Sequence, residues 1–147
     1  MCKGISMIIV RGQITPFWLK NQNRHSEIRK HFNLPDDSQL INSLPVEMLP
    51  TGTLTNSEEW EFSLDTNINL PDWYSAKDAE YQAECWKVLR QEILEINQTG
   101  IYGGDLDLQD TQVKDLGVLQ SVGGYLDLRG TQVKITDEIK HKFSIII

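Results

Sequence analysis

Cysteine is scarce in this chain: Cys2 and Cys85 are the only two among 147 residues. That excludes a disulfide-stapled secreted domain, and both residues read as reduced thiols of a cytoplasmic protein. The opening Met1-Cys2-Lys3-Gly4-Ile5-Ser6-Met7 carries one Lys and no long apolar core, so no signal peptide is expected and Met7 is a candidate structural start. Long hydrophobic runs are missing too, none approaching the ~18 residues of a membrane span. Positive charge is in short supply: 14 Lys and Arg stand against 21 Asp and Glu, a net charge of −7. A general nucleic-acid binder, which draws phosphate with an excess of Lys and Arg, is thereby disfavoured. No Gly-rich phosphate loop, metal-ligand spacing or nucleophile elbow occurs, so no catalytic residue, metal site or cofactor is predicted.

What the chain does have is a repeat. Gly103-Gly104-Asp105-Leu106-Asp107-Leu108-Gln109-Asp110-Thr111-Gln112-Val113-Lys114 recurs as Gly123-Gly124-Tyr125-Leu126-Asp127-Leu128-Arg129-Gly130-Thr131-Gln132-Val133-Lys134, with nine of twelve positions identical. A fixed period of this size predicts stacked coils, each burying its apolar side on the next. Leu106, Leu108, Leu126 and Leu128 alternate with Asp107 and Asp127, so a strand puts the leucines in the core and the aspartates outside. The glycine pairs mark a tight corner, and Leu116, Leu119 and Val122 are the expected second wall. Thr136 caps a short helix carrying Ile139 and Phe143, and residues 145–147 fall where a truncated third strand closes the stack.

The spacing Leu126-x-Leu128-x-x-Thr131-x-Val133 resembles the leucine-rich repeat core, with Thr where that family usually has Asn. The resemblance covers residues 101–147 and implies a short parallel β solenoid, while implying almost nothing about activity. More loosely, Pro16-Phe17-Trp18, Pro71-Asp72-Trp73-Tyr74 and the repeats resemble uncharacterised proteins of bacteria and bacteriophages bearing Gly-Gly-x-Leu-Asp-Leu repeats. That likeness implies a phage-encoded inhibitor of a bacterial host defence protein.

Residues 1–100 form the rest of an α+β fold. The apolar run 7–10 reads as a buried strand, the segment from Asn23 or Ser26 to Phe32 as a helix with Ile28 and Phe32 on one face, and 44–49 and 60–64 as strands. A long amphipathic helix spans 75–97, capped by Ser75 and stopped at Thr99-Gly100. Charge is uneven: between 7 and 34 the sole acid is Glu27, whereas acids dominate from 35 to 100.

The predicted function is a non-catalytic protein-binding module. Its candidate binding residues are Asp105, Asp107, Gln109, Tyr125, Asp127 and Arg129 on the repeat face, with Trp73 and Tyr74 ahead of the long helix. Exposed Asp107 and Asp127 on adjacent strands repel, a cost that a cation or a basic partner offsets, and plain solvated surface is the favoured alternative for this face. Trp73 and Tyr74 either staple the helix in place, the favoured reading, or form an aromatic hot spot. The expected partner is a protein, not nucleic acid or membrane, with self-association through the C-terminal strand edge open. Cys85 paired with His25, His31 or His141 is set aside as packing, and Asp36-Asp37 and Glu58-Glu59 as solvated surface. Two alternatives stay open: an enzyme with its site between the subdomain and the repeats, and an acidic mimic of nucleic acid.

Overall fold

The computed structural model describes residues 2–36, 40–66 and 69–143. Strand β1 (Ile5–Val10) lies inside a four-stranded antiparallel sheet of order β2-β1-β3-β4, with β2 (Gln13–Phe17), β3 (Ser43–Pro50) and β4 (Trp60–Leu64). Ile5, Met7 and Ile9 point into the main core, while Ile8 points to the opposite face, where helix α1 (His25–His31) packs with its buried Ile28. Burial on both faces is why β1 reads as a continuous apolar run. The sequence did not announce β2, because Pro16 argues against a strand. It survives as an edge strand, where a missing N–H breaks no ladder. Pro45 sits in the interior strand β3 just past the end of β4, where its carbonyl accepts from the Asp65 amide at 2.9 Å.

The long helix differs from expectation at its start. Ser75 does not cap it: Ser75 ends a separate turn, α2 (Asp72–Ser75), and helix α3 (Asp78–Thr99) begins three residues later. The side chain of Asp78 is taken up by Tyr74 Oη and, at 3.0 Å, by Gln82 Nε2, which fixes the kink between the two helices. Tyr81, Cys85, Val88, Leu89, Glu92, Ile93 and Ile96 make up the buried stripe of α3. Gly100 ends it at φ 73°, a conformation that costs glycine nothing, with its amide on the Ile96 carbonyl at 2.7 Å.

From there the two repeat copies run side by side. Strands β5 (Ile101–Tyr102) and β7 (Ser121–Val122) pair in parallel, as do β6 (Leu106–Asp107) and β8 (Leu126–Asp127), each residue opposite its equivalent one period on. Amides of Leu106, Leu108 and Asp110 continue the ladder onto the carbonyls of Tyr125, Asp127 and Arg129. Both sheets are small and open, and the described residues do not build an extended solenoid. The glycine pairs act through close approach: a Cβ on Gly123 would strike the Gly103 carbonyl, and one on Gly104 the Asn21 carbonyl. Leu116 and Leu119 are buried and Val122 packs against the core as a second wall. Thr136 Oγ1 accepts the Ile139 amide at 3.2 Å to cap helix α4 (Asp137–Lys142), and Phe143 is buried after it. The expected third strand, residues 145–147, lies outside the described residues.

The first copy is also bonded to the N-terminal sheet region on its other side. The Gly4 amide donates to the Asp107 carbonyl at 2.7 Å, Leu54 to Asp115 at 2.8 Å and Lys114 to Gly52 at 2.9 Å. One apolar cluster runs from Ile5 through α3 to Phe143.

Asp107 and Asp127 overturn the expectation that they face solvent: they are only 1% and 2% exposed. Each strand is two residues long, and each aspartate turns back to cap the bend that follows. Asp107 Oδ1 accepts the Gln109 amide at 3.0 Å, and Asp127 Oδ1 the Arg129 amide at 3.1 Å. Thr111 and Thr131 close the same bends, donating to the Leu108 and Leu128 carbonyls at 2.8 and 2.7 Å. The Leu-Asp-Leu-x-x-Thr spacing is therefore a buried turn device.

Two substitutions test this. Leu126→Asp places an unpaired charge in the core and lowers stability by about 3–5 kcal/mol. Asp127→Leu, harmless at an exposed position, here orphans a backbone amide and the Arg129 guanidinium and costs about 1–3 kcal/mol. Thermal melts show both variants destabilised; an unchanged melt for Asp127→Leu contradicts the buried turn.

Candidate functional site

The predicted repeat-face residues do come together. Arg129 donates from Nε and Nη2 to Asp127 Oδ1 and Oδ2 at 3.0 and 2.7 Å, a two-pronged pair, and Nη2 also reaches Gln109 Oε1 at 3.5 Å. The Arg129 hydrogen bonds, before any other cause, hold the Asp127 carboxyl below its usual range. The result is a guanidinium fixed on the surface by a carboxylate beneath it. One repeat back, Asp105 Oδ1 accepts the Tyr125 amide at 3.0 Å, and its Oδ2 stands 4.0 Å from Arg24 Nη2. Burial first, then the nearby Asp107 and Asp105 carboxylates, raises the Tyr125 phenol, while Arg24 pulls it back. Lys3 Nζ lies 4.0 Å from Asp110 Oδ2 on the same side. Asp105, Gln109, Tyr125 and Arg129 are thus the outer members of the predicted set, Asp107 and Asp127 its buried supports, and Arg24 and Lys3 its unforeseen neighbours.

Trp73 and Tyr74 do not join them. Tyr74 is buried and stacked on Tyr81, ring centroids 5.6 Å apart and planes 13° apart, and Trp73 meets the Tyr81 ring edge-on at 5.8 Å. The pair pins α2 to α3, so the staple is what the structure contains and the exposed hot spot is not.

Two further groupings were not foreseen from the sequence. Glu92 of α3 is buried at a cleft of about 370 Å³ that Lys20, Asn21, Glu95, Gln98 and Tyr102 also line, between the N-terminal region and the first repeat. Burial, then repulsion from Glu95, pushes its carboxyl up to about 7 against the opposing influence of Lys20, whose ammonium sits 2.9 Å from Glu95. Its helical position among Leu89, Ile93 and Ile96 was the available signal: an acid on the apolar stripe. The other grouping brings Cys2, His25 and Asp65 together across 63 residues of sequence, a distance over which no spacing rule operates. Cys85, by contrast, is fully buried and its thiol is pushed up to about 12 by burial and Glu84, as packing requires. His31 and His141 are exposed.

Among the described residues no group of three His, Cys, Asp or Glu side chains converges to hold a metal ion, and no helix is long and apolar enough to cross a membrane. No protein-family model matches the sequence, and comparisons with curated proteins and with solved structures give no match either.

Glu92 yields a pH prediction. Its folded-state pKa, about 7, lies above the ordinary 4.5, so the folded chain holds that proton more tightly. The stabilisation is complete below the ordinary value and is lost as pH rises through the folded one. Glu92→Gln therefore melts higher than the parent at about pH 8, and the advantage shrinks as pH falls through 7 and vanishes below about pH 4. Parallel melting curves across that range would contradict the buried carboxyl.

Proposed function

We propose that the chain is a non-catalytic protein-binding module, with its repeats forming a short leucine-rich-like parallel coil stack that presents Asp105, Gln109, Tyr125 and Arg129, flanked by Arg24. The observation that carries this is Arg129, whose fork is filled on one side by buried Asp127 and therefore meets a partner already ordered. An arginine and a tyrosine held on a rigid support lose little freedom on binding, and these residue types dominate interface energetics. The narrower version, an inhibitor of a bacterial host protein, rests on the sequence resemblance and directs the search to bacterial lysate.

A second reading draws on one observation. An enzyme site between the N-terminal region and the repeats needs a carboxyl poised near neutrality in a polar cleft, and Glu92 beside Lys20, Asn21 and Tyr102 has that character. The acidic-mimic alternative loses ground, because Glu47 and Glu92, two acids of the acid-rich stretch, are turned inward.

Affinity capture from lysate with identification by mass spectrometry separates these readings. Tyr125→Ala and Arg129→Ala each weaken capture of the same partner by about tenfold or more, a loss on the order of 1.4 kcal/mol, while circular dichroism stays native. Glu92→Gln leaves capture intact. Retained capture in both repeat-face variants refutes the binding reading.

A further inference from the structure

Cys2 is half-buried and sits where two clefts meet. One, of about 460 Å³, is lined with Asn23, Arg24, Ser26 and Tyr125; the other, of about 340 Å³, includes His25, Arg29, Asp36 and Asp65. Cys2 Sγ lies 3.1 Å from His25 Nδ1 and accepts the His25 backbone amide at 3.3 Å. On its far side the same imidazole meets the Val46 carbonyl, 2.9 Å from Nε2. A carbonyl only accepts, so Nε2 carries the hydrogen, and Nδ1 of the neutral ring is left as the acceptor for the thiol proton. Asp65 Oδ2 stands 3.8 Å from Nδ1, placed to pair with the ring once that proton arrives.

We propose that Cys2 is a nucleophilic thiol, with His25 as its base and Asp65 as a positioning residue, that exchanges with small disulfides. Arg24 lines the first cleft, the approach open to a disulfide, whereas Asp36 and Asp65 stand with Arg29 in the second. The step balances: the thiol proton moves to His25 Nδ1, Cys2 Sγ attacks one sulfur, and a new S–S bond forms as the old one breaks. Cys2 is oxidised to a mixed disulfide, the other half of the reagent leaves as a reduced thiolate, and the imidazolium returns its proton to that thiolate or to water.

The resting pair is neutral. Burial raises the Cys2 thiol, with the carboxylates of Glu47 and Asp65 adding to it and the His25 amide opposing, and burial lowers the His25 imidazole. Glu47 accepts the Lys3 amide and faces the same ring from β3, and Arg29 approaches it from α1. The charge separation is therefore made during attack, which is the task of a general base rather than of a preformed ion pair. Cys85, with neither a base nor an opening, is the internal control.

The test uses the full chain and two probes, 5,5′-dithiobis(2-nitrobenzoate) and oxidised glutathione. The native protein shows one fast thiol, at least about tenfold faster than free glutathione near neutral pH. Cys2→Ser abolishes the fast phase and Cys85→Ser keeps it, with mass spectrometry placing the adduct on Cys2. Asp65→Asn, at a partly exposed position, keeps a native melt but slows the reaction about threefold or more, because the imidazolium formed during attack loses its partner, and shifts the pH profile downward, because the carboxylate raises both the His25 imidazole and the Cys2 thiol. His25→Gln slows it further, and a melt and native circular dichroism accompany it. A fast phase on Cys85, a native rate no greater than that of free glutathione, or an unchanged rate and pH profile in Asp65→Asn overturns the proposal.

Discussion

Two copies of a short repeat cannot bury their own apolar edges, and the whole molecule is arranged around that shortage. Repeat arrays are stabilised by neighbour-on-neighbour stacking and need about three units to stand alone. Here the N-terminal sheet and α3 stand in for the missing neighbours. Leu106, Leu108, Leu126 and Leu128 join Met7, Val46, Leu89 and Ile96 in one cluster, and backbone bonds at Gly4, Leu54 and Lys114 tie the first copy to the sheet region. Full burial of each leucine is worth about 1.5–3 kcal/mol, so a few such residues match the entire net stability of a small domain. The sheet and the repeats are therefore each other's missing half.

The same packing decides what the acids do. Asp107 and Asp127 satisfy the bends that follow their strands and lie under the surface, so the polar face comes from the residues around them. Arg129 is anchored from below, Asp105 holds the Tyr125 backbone, and Arg24 reaches over from the neck of α1. Burial also raises the thiol of Cys2 and the carboxyl of Glu92, both located where the N-terminal region meets the repeats. Partly buried ionisable groups collect at that seam because two irregular surfaces meet there and leave clefts.

Local patterns made much of the fold legible. The alternation of Trp60, Phe62 and Leu64 gives β4, the stop at Gly100 gives the end of α3, and the capping role of Thr136 gives α4. Errors arose where tertiary context outweighed local preference. Pro16 concealed an edge strand, and the hydrogen bonds of Asp78 moved the helix start past Ser75. Two-residue alternation placed Asp107 and Asp127 outside, yet a strand of two residues is too short for alternation to govern, and turn chemistry took over. Of the candidate site, Asp105, Gln109, Tyr125 and Arg129 were readable because a repeat carries its own register. Arg24 and the Cys2–His25 pair were not, since folding alone brings together residues so far apart in the chain, and Glu92 showed only as an acid on an apolar stripe.

Native-state hydrogen exchange tests most directly whether the repeats and the sheet fold as one. If they share a core, the amides of Leu106, Leu108 and Gly123, which close the ladder between the copies, open with the same free energy and denaturant dependence as the amides of β1, β3 and α3. Repeat amides that exchange through a low-energy opening while the sheet stays protected would show a separable appendage and contradict the account.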